Sequence, residues 1–120
     1  MAYTSIQNKE GQFVQPEDAS FQAAAAYADW KNAPGFYQIL TNQPGKTTWP
    51  ISGASFILMH TKQDKPQNAA EVLKFFDWSF KNGQKMAEEL DYVPLPAEVT
   101  KVIADAWKAE IKDASGKPVW

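Results

Sequence analysis

The chain is 120 residues long, 44% apolar, 22% charged and 13% aromatic, with a formal net charge of −2. Its five Trp, seven Phe and four Tyr exclude a solvated coil, and the slight negative charge excludes a surface that gathers nucleic acid or anionic membrane over its whole extent. All twelve basic residues are lysines and cysteine is absent, which excludes guanidinium clamps on phosphate or carboxylate, disulfides, thiolate nucleophiles and sulfur-bound metals.

The strongest apolar run, Phe56-Ile57-Leu58-Met59, is far shorter than the roughly 18 residues that a membrane-spanning helix needs. Residues Met1 to Asn8 carry neither the basic region nor the apolar core of a signal peptide. The chain therefore reads as a cytosolic protein, a processed one, or an excerpt of something longer.

In chain order, Ala2 to Ile6 and Phe13-Val14 read as two short strands around the polar turn Asn8-Lys9-Glu10-Gly11, a hairpin. Pro16 is suited to open a helix, with Glu17 and Asp18 in its first turn. Phe21, Ala24, Ala25 and Ala28 share one face of it, and the helix is expected to run to about Trp30. Pro34-Gly35, Pro44-Gly45 and Trp49-Pro50 punctuate the next stretch and mark a crossing between structural units. Residues 51–60 end in an apolar run without alternation, which predicts a buried central strand covered on both faces and closing at His60.

Asp64-Lys65-Pro66-Gln67 reads as a turn, and Asn68 with Glu71 as an Asn form of the capping box. The helix that follows carries Val72, Leu73, Phe75, Phe76, Trp78 and Phe80, an apolar surface too broad for a helix lying on water. Gly83 should end or bend it, since Gly costs about 1 kcal/mol in a helix interior. A short helix from Gln84 to Leu90 and an extended connector, Val93 to Pro96, come next. Pro96 opens the last helix, striped by Val99, Val102, Ile103, Ala106 and Ile111 with Trp107 at its edge, and Asp113 to Pro118 ends it. By periodicity alone the chain is an α/β or α+β unit.

Residues able to carry chemistry are few. The six glycines are too scattered for a dinucleotide fingerprint or a phosphate-cradling loop. His60, the only histidine, could serve as a general base at a strand end, but nothing near it resembles a nucleophile elbow, and a partly exposed histidine closing a strand is the plainer reading. Glu88, Glu89 and Asp91 crowd one helix end with Lys81 and Lys85 upstream. Adjacent carboxylates on a helix do not converge on one point, so a solvated face with pairs such as Lys85–Glu89 is expected. Phe75, Phe76, Trp78 and Phe80 could line a groove, but at helical spacing they read as core. No catalytic, metal or cofactor site is assigned.

Several stretches taken together resemble a known family. They are Phe36 to Gly45 with Leu40-Thr41-Asn42-Gln43, then Trp49-Pro50-Ile51, Phe56-Ile57-Leu58, Glu71 to Trp78, Leu90-Asp91-Tyr92-Val93-Pro94-Leu95-Pro96, and Ala106-Trp107-Lys108. Their order and spacing resemble the C-terminal portion of the periplasmic phosphate-binding proteins that serve bacterial high-affinity phosphate ABC transporters. The resemblance covers essentially the whole chain. It implies an α/β segment of a two-domain, Venus-flytrap fold. Residues 1–40 would finish the second lobe, 41–50 would be a hinge crossing, and 51–120 would form the C-terminal part of the first lobe.

The same resemblance implies a substrate-binding component for inorganic phosphate, located in the periplasm, that partners a membrane permease, inserts in no membrane and is not an enzyme. The family's phosphate contacts lie in a Thr-Gly-Ala-Gly-like loop, an early Asp and an Arg-Ser-Asp-Gly-Ser-Gly-Thr-like segment. None of these maps onto this sequence, so no phosphate-binding residue is carried over. The alternative is a free-standing small α/β interaction or structural module without a ligand site. An enzyme would require His60 and neighbouring carboxylates. If residues 56–120 complete a lobe whose other strands lie elsewhere, the chain by itself should self-associate through its uncovered strand.

Overall fold

The structure, a computed structural model, describes residues 2–120. The expected hairpin forms from β1 (Ile6–Gln7) and β2 (Phe13–Val14), antiparallel, with Ile6 opposite Val14 and Gln7 opposite Phe13. The first strand is shorter than expected: residues 2–5 stay outside the ladder, and Met1 lies outside the described residues. Asn8 closes the turn, its N–H bonded to the Gln12 carbonyl at 2.8 Å.

Helix α1 spans Asp18–Tyr27, a start two residues later than Pro16 suggested. Ser20 explains the shift. Its Oγ accepts the N–H of Glu17 at 3.1 Å and lies 2.7 Å from the Gln15 carbonyl, so the chain around Pro16 is held extended and Glu17 becomes the cap. The helix also ends early, at an extended Ala28. The Trp30 indole N–H donates to the Ala25 carbonyl at 2.7 Å, which also accepts the Ala28 N–H at 3.4 Å, so the side chain reinforces the helix end. The expected face is the buried one: Ala24, Ala25 and Ala28 are enclosed, together with Trp30, Leu40 and Trp49. After a single 3-10 turn at Pro34–Phe36 the chain runs through loops pinned to this core. The Trp49 N–H donates to the Ser20 carbonyl at 3.0 Å, and that of Asn42 to the Pro50 carbonyl at 2.9 Å.

Two compact units divide the described chain, one ending at Ser55 and the other beginning at Phe56. Between Ile51 and His60 the structure overturns the expectation of a buried central strand. No strand forms there; Phe56 is 45% exposed, Ile57 63% and Leu58 92%. An apolar run is a strand only where neighbours supply both a ladder and cover. Among the described residues no backbone ladder forms on this segment.

In the second unit, β3 (Lys62–Gln63) leads into helix α2 (Pro66–Asn82). The Asn68–Glu71 capping box does not form. Pro66 takes the first helical position, where its fixed φ and missing N–H cost nothing, and Asn68 falls inside the helix. Ala69 and Leu73 are buried, while Val72, Phe75 and Trp78 face solvent. Helix α2 thus has an inward stripe and an apolar outward one. Gly83 ends it as expected: a Cβ there would lie 2.7 Å from the Ser79 carbonyl oxygen.

Helices α3 (Gln84–Glu89) and α4 (Ala97–Glu110) follow. Pro96 caps α4, its carbonyl accepting the N–H groups of Val99 and Thr100 at 3.0 and 3.1 Å. Val99 is buried and Val102, Ile103, Ala106 and Trp107 are half-buried, so the expected stripe holds. Strand β4 (Lys112–Asp113) then pairs in parallel with β3, Lys62 opposite Lys112 and Gln63 opposite Asp113. This pairing had no counterpart in the sequence reading. Phe80 stacks on Trp107 with ring centroids 5.9 Å apart, and Trp107 meets Trp120 edge to face at 5.6 Å.

Candidate functional site

The residues singled out for chemistry are not brought together. His60 is exposed within the unpaired 51–60 segment, and its carbonyl accepts the side-chain amide of Gln63. Among the described residues no group of three or more His, Asp or Glu side chains could hold a metal ion.

Glu88, Glu89 and Asp91 are all exposed, and the expected Lys85–Glu89 pair does not form. The ion pairs among the described residues are Glu71–Lys74 and Asp77–Lys81, each at 2.7 Å, and Lys101–Asp105 at 3.0 Å. At the acidic helix end Asp91 does a backbone job. Its φ is +60°, and its N–H reaches the Glu88 carbonyl at 3.0 Å while that of Tyr92 reaches Ala87 at 2.9 Å. This is a left-handed helix stop, the conformation that glycine favours and that Asp tolerates. Asp91→Gly should therefore stabilise the chain by about 0.5–1 kcal/mol. Thermal unfolding followed by circular dichroism reads this; an unchanged or lower midpoint contradicts it.

The aromatic set of α2 splits. Phe76 and Phe80 turn inward, whereas Phe75 and Trp78 are 60% and 50% exposed. The expectation that all four are core holds for only half of them, and they line no common groove.

Two polar centres escaped the sequence reading. One is Asn8, 6% exposed. Its Oδ1 accepts the N–H groups of Glu10 and Gln12 at 3.1 and 3.0 Å. Its Nδ2 donates to the carbonyls of Gly45, Lys46 and Thr48 at 3.2, 2.9 and 3.2 Å, tying the hairpin to a distant loop. The other is Asp113, beside an open groove of about 440 Å³ lined by Thr61, Lys62, Glu110 and Ser115 among others. Its Oδ1 accepts the Ser115 hydroxyl at 2.6 Å and the N–H groups of Ser115 and Lys117 at 2.8 and 2.9 Å. These bonds, the hydroxyl first, hold its carboxyl below the usual range. The groove mixes two lysines with two carboxylates, and Asp113 commits its Oδ1 to its own turn. A dry anion site needs converging donors instead.

The described residues form a mixed helix-and-strand segment, consistent with a C-terminal part of a periplasmic-binding-protein fold. Over 120 residues the chain is 53% identical to the phosphate-binding protein PstS of Pasteurella multocida, a match that takes in 100% of this chain and 35% of that protein. It is 51% identical over 112 residues to PstS of Haemophilus influenzae, covering 93% of this chain and 34% of the relative. For PstS of Xylella fastidiosa the identity is 48% over 112 residues, 93% of this chain and 31% of the relative. The chain thus spans about a third of the length of these curated relatives. The likeness to a C-terminal portion of phosphate-binding proteins, read from the residues above, is borne out. No protein-family profile matches the chain.

Proposed function

We propose that this chain is the C-terminal portion of the substrate-binding component of a phosphate ABC transporter, a periplasmic receptor that hands inorganic phosphate to a membrane permease. The observation that carries the proposal is the match along the full chain to proteins named for phosphate binding, at 53%, 51% and 48% identity. It is a binding protein in this reading, not an enzyme. Among the described residues no helix is long and apolar enough to cross a membrane.

The lobe assignment belongs to the same proposal: 1–40 to one lobe, 41–50 to the crossing, 51–120 to the other. The boundary between the two compact units, at Ser55 and Phe56, falls just past that crossing. The segment supplies framework, and the phosphate ligands belong to the part of the receptor that it does not match. The absence of arginine and the scattered glycines support this division.

Titration calorimetry with inorganic phosphate tests the proposal on two proteins. One is the chain by itself; the other is the Pasteurella relative with its matched third exchanged for this chain. The first should show no site, and the second should bind one phosphate within about tenfold of its parent. A micromolar one-to-one site on the chain alone overturns the placing of the ligands. A folded exchange protein without a phosphate site overturns the receptor reading.

A further inference from the structure

Of the chain's five asparagines only Asn82 precedes a glycine; the others precede Lys9, Ala33, Gln43 and Ala69. The side-chain amide of asparagine is open to attack by the backbone nitrogen of the next residue, which makes asparagine one of the thermolabile residues. A Cβ on that next residue crowds the approach, and the ring that forms needs backbone angles that glycine adopts most readily. Asn82 is also exposed, within reach of the water that the reaction consumes.

The folded chain holds both reacting groups back. Asn82 is the last residue of α2, and Gly83 is at once the C-cap of α2 and the N-cap of α3. The Gly83 N–H, the nucleophile once deprotonated, donates to the Ser79 carbonyl at 2.8 Å. The Asn82 Nδ2, the leaving group, donates to the Trp78 carbonyl at 3.0 Å. Both bonds run back along the helix, so the attack waits until the last turn of α2 opens. That opening involves little buried surface. Helix α3, on the far side of Gly83, has six residues and none of them is buried, and α2 ends in exposed Lys81 and Asn82. Segments of this kind open locally at well below the cost of global unfolding.

We propose that Asn82 is a self-modification site whose deamidation is gated by local opening of the α2–α3 junction. In the open state hydroxide takes the Gly83 N–H proton, the nitrogen bonds to Asn82 Cγ, and Nδ2 leaves as ammonia with a proton from water, closing a cyclic imide. Water then adds to either imide carbonyl. Breaking the new N–Cγ bond gives aspartate; breaking the original peptide bond gives isoaspartate. Overall, water is consumed and ammonia is released. Aspartate puts a negative charge at the negative end of α2. Isoaspartate adds a methylene to the backbone, which takes the Gly83 N–H out of register with the Ser79 carbonyl. Either product weakens the stop that joins α2 to α3.

Ageing the purified chain at mildly alkaline pH tests this. Trypsin then cuts after Lys81 and Lys85 and releases residues 82–85. Mass spectrometry with chromatography resolves their Asn, Asp and isoaspartate forms. Asn82 should convert ahead of the other asparagines, at least about tenfold more slowly in the folded chain than in the chain unfolded by urea. Urea too dilute to unfold the chain should change the folded rate by less than about twofold, because a local opening exposes little surface. Gly83→Ala should slow conversion in the unfolded chain. It should also narrow the gap between folded and unfolded rates, since its Cβ would lie 2.7 Å from the Ser79 carbonyl oxygen and loosen the turn. Four results overturn the proposal: another asparagine converting first in the folded chain, equal rates in the folded and unfolded chain, a folded rate that climbs with dilute urea as steeply as global unfolding does, or an unfolded Gly83→Ala chain that converts as fast as its parent.

Discussion

Asn8→Asp should unfold the first unit far more readily than the change of one atom suggests. The amide Nδ2 donates to three carbonyls, those of Gly45, Lys46 and Thr48. A carboxylate oxygen in its place would confront acceptors with an acceptor, at a site 6% exposed. Losing the donated bonds and burying unpaired acceptors costs about 3 kcal/mol or more. Asn8→Ala removes the bonds without adding a charge and should cost less, about 1–3 kcal/mol. Acid should rescue Asn8→Asp in part, because a protonated carboxyl can donate one hydrogen. Denaturation followed by the fluorescence of the buried Trp30 and Trp49 measures all three effects. A wild-type midpoint for Asn8→Asp at neutral pH would show that the side chain does not link the hairpin to the loop.

Leu73→Ala should be the most damaging apolar truncation in the second unit. Leu73 is 0% exposed, and the other buried apolar residues of that unit are Ala69, Val99 and Ile111. With so thin a core there is little to collapse into the vacated space, and the loss should reach about 2–5 kcal/mol. Phe75→Ala, one position outside the inward stripe and 60% exposed, should cost within about 0.5 kcal/mol. Amide exchange resolves the pair: Leu73→Ala should accelerate exchange throughout α2 and α4, Phe75→Ala only near its own turn. Equal effects would mean that the two stripes of α2 are not distinguished as described.

The contrast within α2 shows where sequence reading succeeds and where it stops. Periodicity is local, so the faces Phe21–Ala24–Ala25–Ala28 and Val99–Val102–Ile103–Ala106 were legible, as was the stop at Gly83. Competing local signals were harder to rank. Asn68 and Glu71 had the spacing of a capping box, but Pro66 sat two residues earlier in a position that suits it better, and it set the start. The segment 56–59 has the composition of a buried strand. Whether anything covers it is a property of other parts of a fold, which composition does not carry. Asn8 was legible as a turn residue, whereas its role as a tie depends on carbonyls 37 to 40 residues away. Asp91 drew notice as a charge and Asp113 as the start of a helix-ending stretch; the work of both is to close turns. The likeness to phosphate-binding proteins was legible because it is spread over six ordered stretches, none of them a ligand motif.

The parallel pair of β3 and β4 is two residues long on each side, yet it joins positions about 50 residues apart along the chain. Closing a flexible loop of that size would cost about 3.5 kcal/mol in chain entropy, against about 1 kcal/mol net for each hydrogen bond gained. A ladder so short cannot hold the ends of the unit together from a free chain. It exists because the intervening helices, with Phe80 of α2 stacked on Trp107 of α4, have already brought Lys62 and Lys112 within reach. The sheet of this unit is thus a consequence of its helix packing, and the order of cause runs opposite to that of a fold whose helices are hung on a preformed sheet.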